Sequence, residues 1–565
     1  MLASLPRSAW WLIAAALLVA WFSGIAVRKL QHPDEGRYAE IAREMAVSGN
    51  WVTPRLNGLK YFEKPPFQYW ATAAAFNVFG VHEWTARAVP ALAGILAVLV
   101  VGMTAARLDG PTTGAYAALV LAASFWHFAL AQLLTLDSVL SAWLAGALCA
   151  FLLAQRDLLP SAARRNWMLV AYAAAAGATL TKGPIALVIP GATLVLYTLV
   201  TRDTGPWKRL HPIPGLVLYL LLTAPWFLRV ARDNPEFAQF FFIHEHVERF
   251  LTTEHRREGS WYYFVPLLVA GILPWLFVWV WTLTRSWRRA PSAVNGFSWP
   301  KFCLVWAAFV FAFFSLSGSK LPSYILPMFP ALAMVVGWQL TQLPPRILAW
   351  LVLPLAVLSS LLFIGIVVAL GGFIPDLADA STPADIFRAF APLITAAVGI
   401  MALSGIAAFL LLRRGTDSAK SWGIVVLALG TMAGMQLGFI GYDAFRATRS
   451  AYDLVRAAEA AEAGHEGGPF DSRIPVYQVR TYDQTLPFYL GRTTTLVAYR
   501  DEMALGLDAE PDRGFATEES WIPFWKALPQ GYALIRLDDY AALVAQSVPM
   551  RVVARDPRRV FVARQ

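Results

Sequence analysis

The sequence predicts a polytopic α-helical membrane protein with about thirteen transmembrane helices, amphipathic interfacial helices and a C-terminal α/β domain. Three observations lead there. Of 565 residues, 57% are apolar and only 15% charged, with a mean hydropathy of +0.51, whereas a water-soluble domain carries about a quarter charged residues. The apolar residues gather in runs long enough to cross a hydrocarbon core of about 30 Å, which takes about 20 residues rising about 1.5 Å each. The lysines and arginines, which make the chain +10 overall, fall mostly on alternate loops. A purely soluble enzyme, a disordered chain and a collagen-like chain are all excluded.

The first run, 9–27, follows Arg7 like a signal peptide. Lys29, Gln31 and His32 stand where a small-residue cleavage site belongs, so this run is expected to remain as a signal-anchor. The later runs are 86–106, 112–130, 135–154, 167–181, 183–201, 212–230, 261–283, 302–317, 322–340, 347–370, 386–412 and 421–440. A break at Lys182-Gly183-Pro184 divides the fifth from the sixth. With the N-terminus inside, the inner loops collect Arg7, Arg107, Arg156, Arg164, Arg165, Arg202, Lys208, Arg209, Arg285, Arg288, Arg289, Lys301, Arg346, Arg413, Arg414 and Lys420. The short outer loops near 131–134, 182, 318–321 and 371–385 hold only Lys182 and Lys320. This positive-inside bias calls for an odd number of spans. Residues 1–440 are then the transmembrane domain and 441–565 an outer domain, which in a bacterium is periplasmic. Cys149 and Cys303 lie far apart in apolar runs, so no disulfide is expected.

Three outer segments exceed simple turns: 28–85, 231–260 and 441–565. The first holds an amphipathic stretch, 33–47, and an aromatic one, 61–70, whose Tyr61, Phe62, Phe67, Tyr69 and Trp70 suit the headgroup zone. Short helices lying on the membrane surface are expected there. The C-terminal segment alternates a helix-like run, 452–463, with strand-like runs at 474–479, 493–499 and 532–537. It ends in a hairpin, 551–563, turning at Asp556-Pro557.

Chemistry concentrates at the outer edge. His32-Pro33-Asp34-Glu35-Gly36-Arg37-Tyr38 places two acids just beyond the first span. Asp34 and Glu35 suit the first turn of a helix, and equally a catalytic carboxylate. Asp137 opens the fourth span, where an ionisable group is expensive and faces a protein cavity; helix capping is the plainer reading. Lys182 and Lys320 stand alone at span edges, and Lys64 sits in Tyr61-Phe62-Glu63-Lys64-Pro65-Pro66. Arg37, Arg249, Arg256 and Arg257 share that side. Lysine and arginine are the usual phosphate binders, and outer loops avoid this sign. Snorkelling to headgroups explains any single one of them. Together they point to a phosphorylated, membrane-embedded ligand. His244-Glu245-His246 has no zinc-helix spacing, but His244 pairs sensibly with a distant carboxylate such as Glu63. There is no phosphate-binding GxxxxGK[ST] loop and no dinucleotide fingerprint.

The residues 32–38, then Asn57-Gly58 and 61–66, resemble the first periplasmic loop of the aminoarabinose transferases that modify lipid A. These belong with the protein O-mannosyltransferase-like membrane glycosyltransferases of the GT-C fold. Thr135-Leu136-Asp137, Thr181-Lys182-Gly183-Pro184, 242–249 and Lys320-Leu321-Pro322-Ser323-Tyr324 are similar to that family too. The resemblance implies a GT-C fold of thirteen spans with a periplasmic C-terminal domain. It implies inverting transfer of 4-amino-4-deoxy-L-arabinose from undecaprenyl phosphate to a lipid A phosphate, at the outer face of the inner membrane. The amine masks lipid A's negative charge and weakens binding of cationic antimicrobial peptides such as polymyxins. The expected catalytic residues are Asp34, Asp137 and Glu35. Lys64, Arg37, Arg249, Tyr324, Lys182 and Lys320 would hold the donor phosphate, and Tyr38, Tyr61 and Glu63 the rest of the substrate. Asp34 would place the attacking group or the sugar's amine. No cofactor is required; a divalent metal at Glu63 and His244 is the one candidate. The partners are the charged carrier lipid, lipid A and membrane lipids, with no nucleic acid, and the chain acts as a monomer. A protein O-mannosyltransferase or another polyprenyl-phosphate-sugar transferase shares the outer acids. A lipid flippase is the reading from another class, but transporters carry their charges at mid-membrane.

Overall fold

The structure, a computed structural model, describes residues 7–248, 259–370, 378–463 and 471–565. Every apolar run read from the sequence falls on a helix or a pair of helices, from Arg7–Phe22 to Asp417–Gly441. Among the described residues, eight helices are long and apolar enough to cross a membrane, or ten if two bent pairs each count once. The bends are 64° between Pro111–Ala123 and Phe125–Ala131, and 112° between Phe264–Gly271 and Leu276–Leu283. Pro274 lies in the second break, where it supplies no N–H to continue the helix. Trp11–Phe22 and Ile185–Thr201 are shorter apolar helices. Ser161–Lys182 opens on Arg164, Arg165 and Asn166, which lowers its apolarity below that of a plain span.

Lipid gives little hydrophobic drive between helices, so close contact depends on small residues. A Cβ on Gly114 would sit 2.5 Å from Ala106 Cβ, and one on Gly337 2.5 Å from the Ala117 nitrogen. These glycines let Pro111–Ala123 touch two neighbouring helices at backbone distance. Cys149 and Cys303 are buried free thiols in this packing.

The loops sort to two ends. At the basic end, Asp157 accepts from the backbone N–H groups of Val294 (2.7 Å) and Asn295 (3.0 Å), and Lys420 donates to the Leu343 carbonyl at 2.7 Å. At the other end the first long loop meets the C-terminal segment. There, β1 (Arg55–Leu56) and β2 (Leu59–Lys60) form a small hairpin. The C-terminal sheet contains β3 (Val476–Val479), β4 (Thr495–Val497), β5 (Gly514–Phe515), β6 (Tyr532–Arg536), β7 (Met550–Arg555) and β8 (Arg559–Arg564). Its order is β5-β4-β3-β6-β8-β7. The first four strands in that order run parallel, and β8 is antiparallel to both its neighbours. Strand β5 and the helices Thr485–Leu490, Glu518–Ala527 and Leu537–Ala545 had no clear periodic signal, being only two to ten residues long.

The amphipathic stretch does form a helix, Asp34–Ser48, but it does not lie open on the membrane surface as expected. The C-terminal domain covers it, so charged Glu40 and Arg43 are buried with its apolar residues. A Cβ on Gly36 would stand 2.6 Å from the Gln484 backbone, so the glycine permits this seat. Arg43 donates to the Gly491 carbonyl at 2.9 Å, Asn57 exchanges hydrogen bonds of 2.7 and 2.8 Å with the Thr494 backbone, and Arg55 pairs with Glu510 at 2.9 Å.

One buried ion pair ties the outer end together. Arg87, fully buried, grips Glu35 through Nε at 2.7 Å and Nη2 at 2.8 Å. It also donates to the carbonyls of Ile25 (3.2 Å), Arg28 (2.5 Å) and Lys29 (2.9 Å). Glu35 accepts from the backbone N–H groups of Gln31 and Leu134, both at 3.2 Å. Burial opposes the Glu35 charge, but the Arg87 guanidinium outweighs it and holds the carboxyl below its usual range. Glu35, expected as a catalytic acid, has both oxygens engaged by the scaffold as a clamp. Arg87 sits near the start of Glu83–Asp109, and an ionisable residue in an apolar run was the signal that could have found it.

Two stability measurements check this account. Glu35→Gln leaves a buried guanidinium without its anion, and should cost about 3–5 kcal/mol, read as a lowered melting temperature in detergent. Glu44, which accepts from the Gly58 N–H at 2.9 Å, is pushed up to about 8 by burial and the nearby Glu40 charge. An acid raised in the folded state contributes stability below its unfolded pKa and loses it as pH climbs through the folded one. The protein should lose stability between about pH 4.5 and 8, and Glu44→Gln should flatten that decline.

Candidate functional site

Lys182 is the last residue of Ser161–Lys182, and Gly183, at φ 76°, ends that helix in a conformation that suits glycine. A cation is favoured at this C-terminus and an acid at the first turn of Leu136–Ala154, where Asp137 sits. The two side chains meet as an ion pair. Lys182 Nζ also lies 4.8 Å from the centroid of the Tyr324 ring, held on the short 3-10 helix Pro322–Met328. Two helix ends thus present opposite charges beside an aromatic face.

Lys64 comes from the first loop. Its Nζ donates to the Glu63 carbonyl at 2.7 Å and to Glu245 Oε2 at 2.9 Å, with the Glu63 carboxylate 4.0 Å away. Glu245 lies in the π-helical segment Gln239–Glu248, its side chain only 2% exposed.

These residues line one cavity of about 380 Å³. Its charged wall is Lys64, Asp137, Lys182 and Glu245. Its apolar wall includes Leu140, Ile185, Val188, Phe313 and Phe314, with Ser317, Ser319 and Tyr324 between. Among the described residues its lining carries two cations and two anions. Ser319 Oγ is buried with no hydrogen-bond partner among the described residues. A charged end beside an apolar flank suits an amphiphile with an anionic head.

The expected site residues divide. Asp137, Lys182, Lys64 and Tyr324 come together in the cavity. Asp34 opens its helix with a side chain 51% exposed, 3.3 Å from Arg37, and is not among the lining residues. Arg37 pairs with Glu502 of the C-terminal domain. Burial opposes the Arg37 charge, but Tyr61, Glu502 and Glu63 outweigh it and raise its pKa. Arg37, expected to hold the donor phosphate, thus neighbours Glu63 and joins the first outer loop to the C-terminal domain through Glu502. Tyr38 and Tyr61, expected to hold substrate, are not among the lining residues. Both are buried in an apolar cluster with Tyr69, and burial pushes both phenols up. Lys320, expected to hold the donor phosphate, is buried, donates to the Ser317 carbonyl at 2.8 Å and is not among the lining residues. Arg249 lies outside the described residues, as do Arg256 and Arg257.

Glu63, expected with His244 to hold a divalent metal, has its carboxylate 4.0 Å from Lys64. Among the described residues no group of three or more His, Cys, Asp or Glu side chains could hold an ion, and the His244 ring lies 5.2 Å from that of Phe240. Glu245 and Glu502 were missed. Glu245 was read only as part of a His-Glu-His run, and Glu502 sits in a domain whose surface acids look alike until its docking is known.

Comparisons with known proteins agree with this layout. A family model described as the aminoarabinose transferase C-terminal domain matches residues 469–564, and one described as dolichyl-phosphate-mannose-protein mannosyltransferase matches 10–241. The undecaprenyl phosphate-alpha-4-amino-4-deoxy-L-arabinose arabinosyl transferase of Edwardsiella ictaluri is 32% identical over 59% of this chain and 60% of its own length. That of Erwinia tasmaniensis is 34% identical over 55% and 56%. The chain thus spans rather less than two thirds of these curated relatives. The crystal structure of ArnT from Cupriavidus metallidurans bound to undecaprenyl phosphate superposes with a TM-score of 0.90, at 38% identity over 99% of this chain and 98% of that one. The oligosaccharyltransferase AglB of Archaeoglobus fulgidus shares the fold alone, at TM-score 0.50 and 14% identity. With 38% identity and a shared fold over nearly the whole of both chains, this chain belongs to the aminoarabinose transferase family of GT-C membrane glycosyltransferases.

Proposed function

We propose that this chain transfers 4-amino-4-deoxy-L-arabinose from undecaprenyl phosphate to a phosphate of lipid A, with inversion, at the periplasmic face of a bacterial inner membrane. The product carries an amine over a lipid A phosphate and lowers affinity for polymyxin-like cationic peptides. One observation carries this reading: Lys64 and Lys182 converge on a single cavity whose other wall is apolar. The sorting of basic loops to the opposite end supports the orientation.

The chemistry follows from charge. The donor is already a glycosyl phosphate, so the leaving group is a phosphate whose negative charge grows as the glycosidic bond breaks. Lys64 and Lys182 stabilise that charge in a site sheltered from water, and Tyr324 closes the site beside Lys182. The acceptor phosphate is ionised near pH 7, so it attacks without a strong general base. Asp137 then orients Lys182, and Asp34 stays at the rim as a candidate for positioning the acceptor. No dissociable cofactor is needed, because the lysines supply the positive charge a metal would bring.

The decisive experiment incubates purified protein with lipid A and charged carrier lipid and weighs the product. Modified lipid A is expected; in a parallel incubation with periplasmic proteins in place of lipid A, a modified protein would favour the mannosyltransferase reading, which the match over residues 10–241 keeps open. Lys64→Ala should lower the rate by about 10²–10³ while the folded protein stays monodisperse; an unchanged rate refutes its phosphate role. EDTA should leave the rate unaltered, and a loss restored by a divalent cation would bring Glu63 and His244 back as ligands.

A further inference from the structure

The Arg37 guanidinium is held at both ends. Nη1 lies 3.3 Å from Asp34, one turn earlier on the same helix, and Nη2 pairs with Glu502 of the C-terminal domain. The Arg37 and Glu502 side chains are only 11% and 9% exposed, whereas that of Asp34 is 51% exposed. Gln484, also of the C-terminal domain, donates to the other Glu502 oxygen at 2.5 Å. Two carboxylates thus flank one planar group, and fixing one end of that plane directs the other. The domain is seated by other contacts as well: Arg43 on Gly491, Asn57 on Thr494 and Arg55 on Glu510. A buried ion pair is a poor source of net stability, because desolvating its charges costs about as much as their attraction returns. What it supplies is a single geometry. The group it orients borders the site, since Arg37 feels the charge of Glu63, the residue before Lys64 of the cavity wall.

We propose that Glu502 is a positioning residue for the transfer reaction: by fixing Arg37 it sets Asp34 to receive the acceptor. The inference rests on the transferase assignment above, and on Asp34 as the residue that places the acceptor. It deepens that assignment by giving the C-terminal domain a part in acceptor use. Glu502 is not among the residues that line the cavity, so it acts through Arg37 and leaves the donor lysines in place.

The test is a double-mutant cycle on the full-length protein, with rates normalised to folded, monodisperse enzyme, because removing one partner of a buried pair also lowers stability. Glu502→Gln keeps the shape and an oxygen for Gln484 but removes the charge that holds Arg37. It should lower kcat/KM for lipid A about ten- to a hundredfold, the scale of a displacement of up to about 1 Å at a reacting group, with KM for the charged carrier lipid within about twofold of wild type. Asp34→Asn should show a comparable loss. The double variant should be no slower than Asp34→Asn, because both changes break one linkage. Glu502→Asp, which keeps the charge, should recover part of the rate. If Glu502→Gln does not fold, Gln484→Ala takes its place in the cycle and should give the same pattern at smaller size. Additive losses overturn the inference, since Glu502 then acts by another route. Wild-type kcat/KM in either single variant, or an equal rise in KM for the carrier lipid, overturns it too. All these results leave the transferase assignment standing. A wild type that transfers nothing from carrier lipid to lipid A defeats the assignment itself, and this inference with it.

Discussion

The outer half of the molecule depends on one buried guanidinium. Arg87 draws together the end of the first helix, the start of Asp34–Ser48 and, through Glu35, the turn at Leu134. That turn leads directly into Asp137. The position of a cavity carboxylate is thus set by an ion pair that takes no part in the cavity. A buried charge can play this part because it is intolerant: it has one low-energy arrangement, with every donor engaged, and the loops must meet that geometry. The motif Asp34-Glu35-Gly36-Arg37 accordingly divides its labour. Glu35 turns inward to the clamp, Gly36 makes room for the C-terminal domain, and Arg37 reaches Glu502 on that domain.

Among the described residues, the site itself sets four charges beside an apolar wall, and each lysine is held by an acid. Such pairing keeps the resting cavity tolerable in a low-dielectric setting. It also means that an incoming headgroup competes with internal acids rather than meeting bare cations.

The helices were legible because their signal is local. A lipid-exposed span has to satisfy its backbone within itself and be apolar along its length, so runs such as 86–106 and 386–412 announce themselves in sequence and recur in Glu83–Asp109 and Ala384–Arg413. The three main strand-like runs of the C-terminal segment were legible for the same reason, and recur in β3, β4 and β6. The short helices between them were not, because a six-residue helix such as Thr485–Leu490 has too few turns to show a period.

Lys64, Lys182, Asp137 and Tyr324 stood out as outer-edge groups by sign and position alone, and that was enough to mark them. Burial was not readable. Tyr38, Tyr61, Arg37 and Lys320 carry the same residue types in the same loops, yet packing by the C-terminal domain and the loop backbone engages them elsewhere. The sequence by itself determined the membrane architecture, the sidedness of the charges and the kind of ligand they suit, because composition along one chain suffices for all three. Which cations and acids share a cavity, and that Glu245 and Glu502 belong to the account, was decided only by tertiary structure, because a pairing of charges across 181 residues of chain is a distance in space and leaves no trace in either local segment.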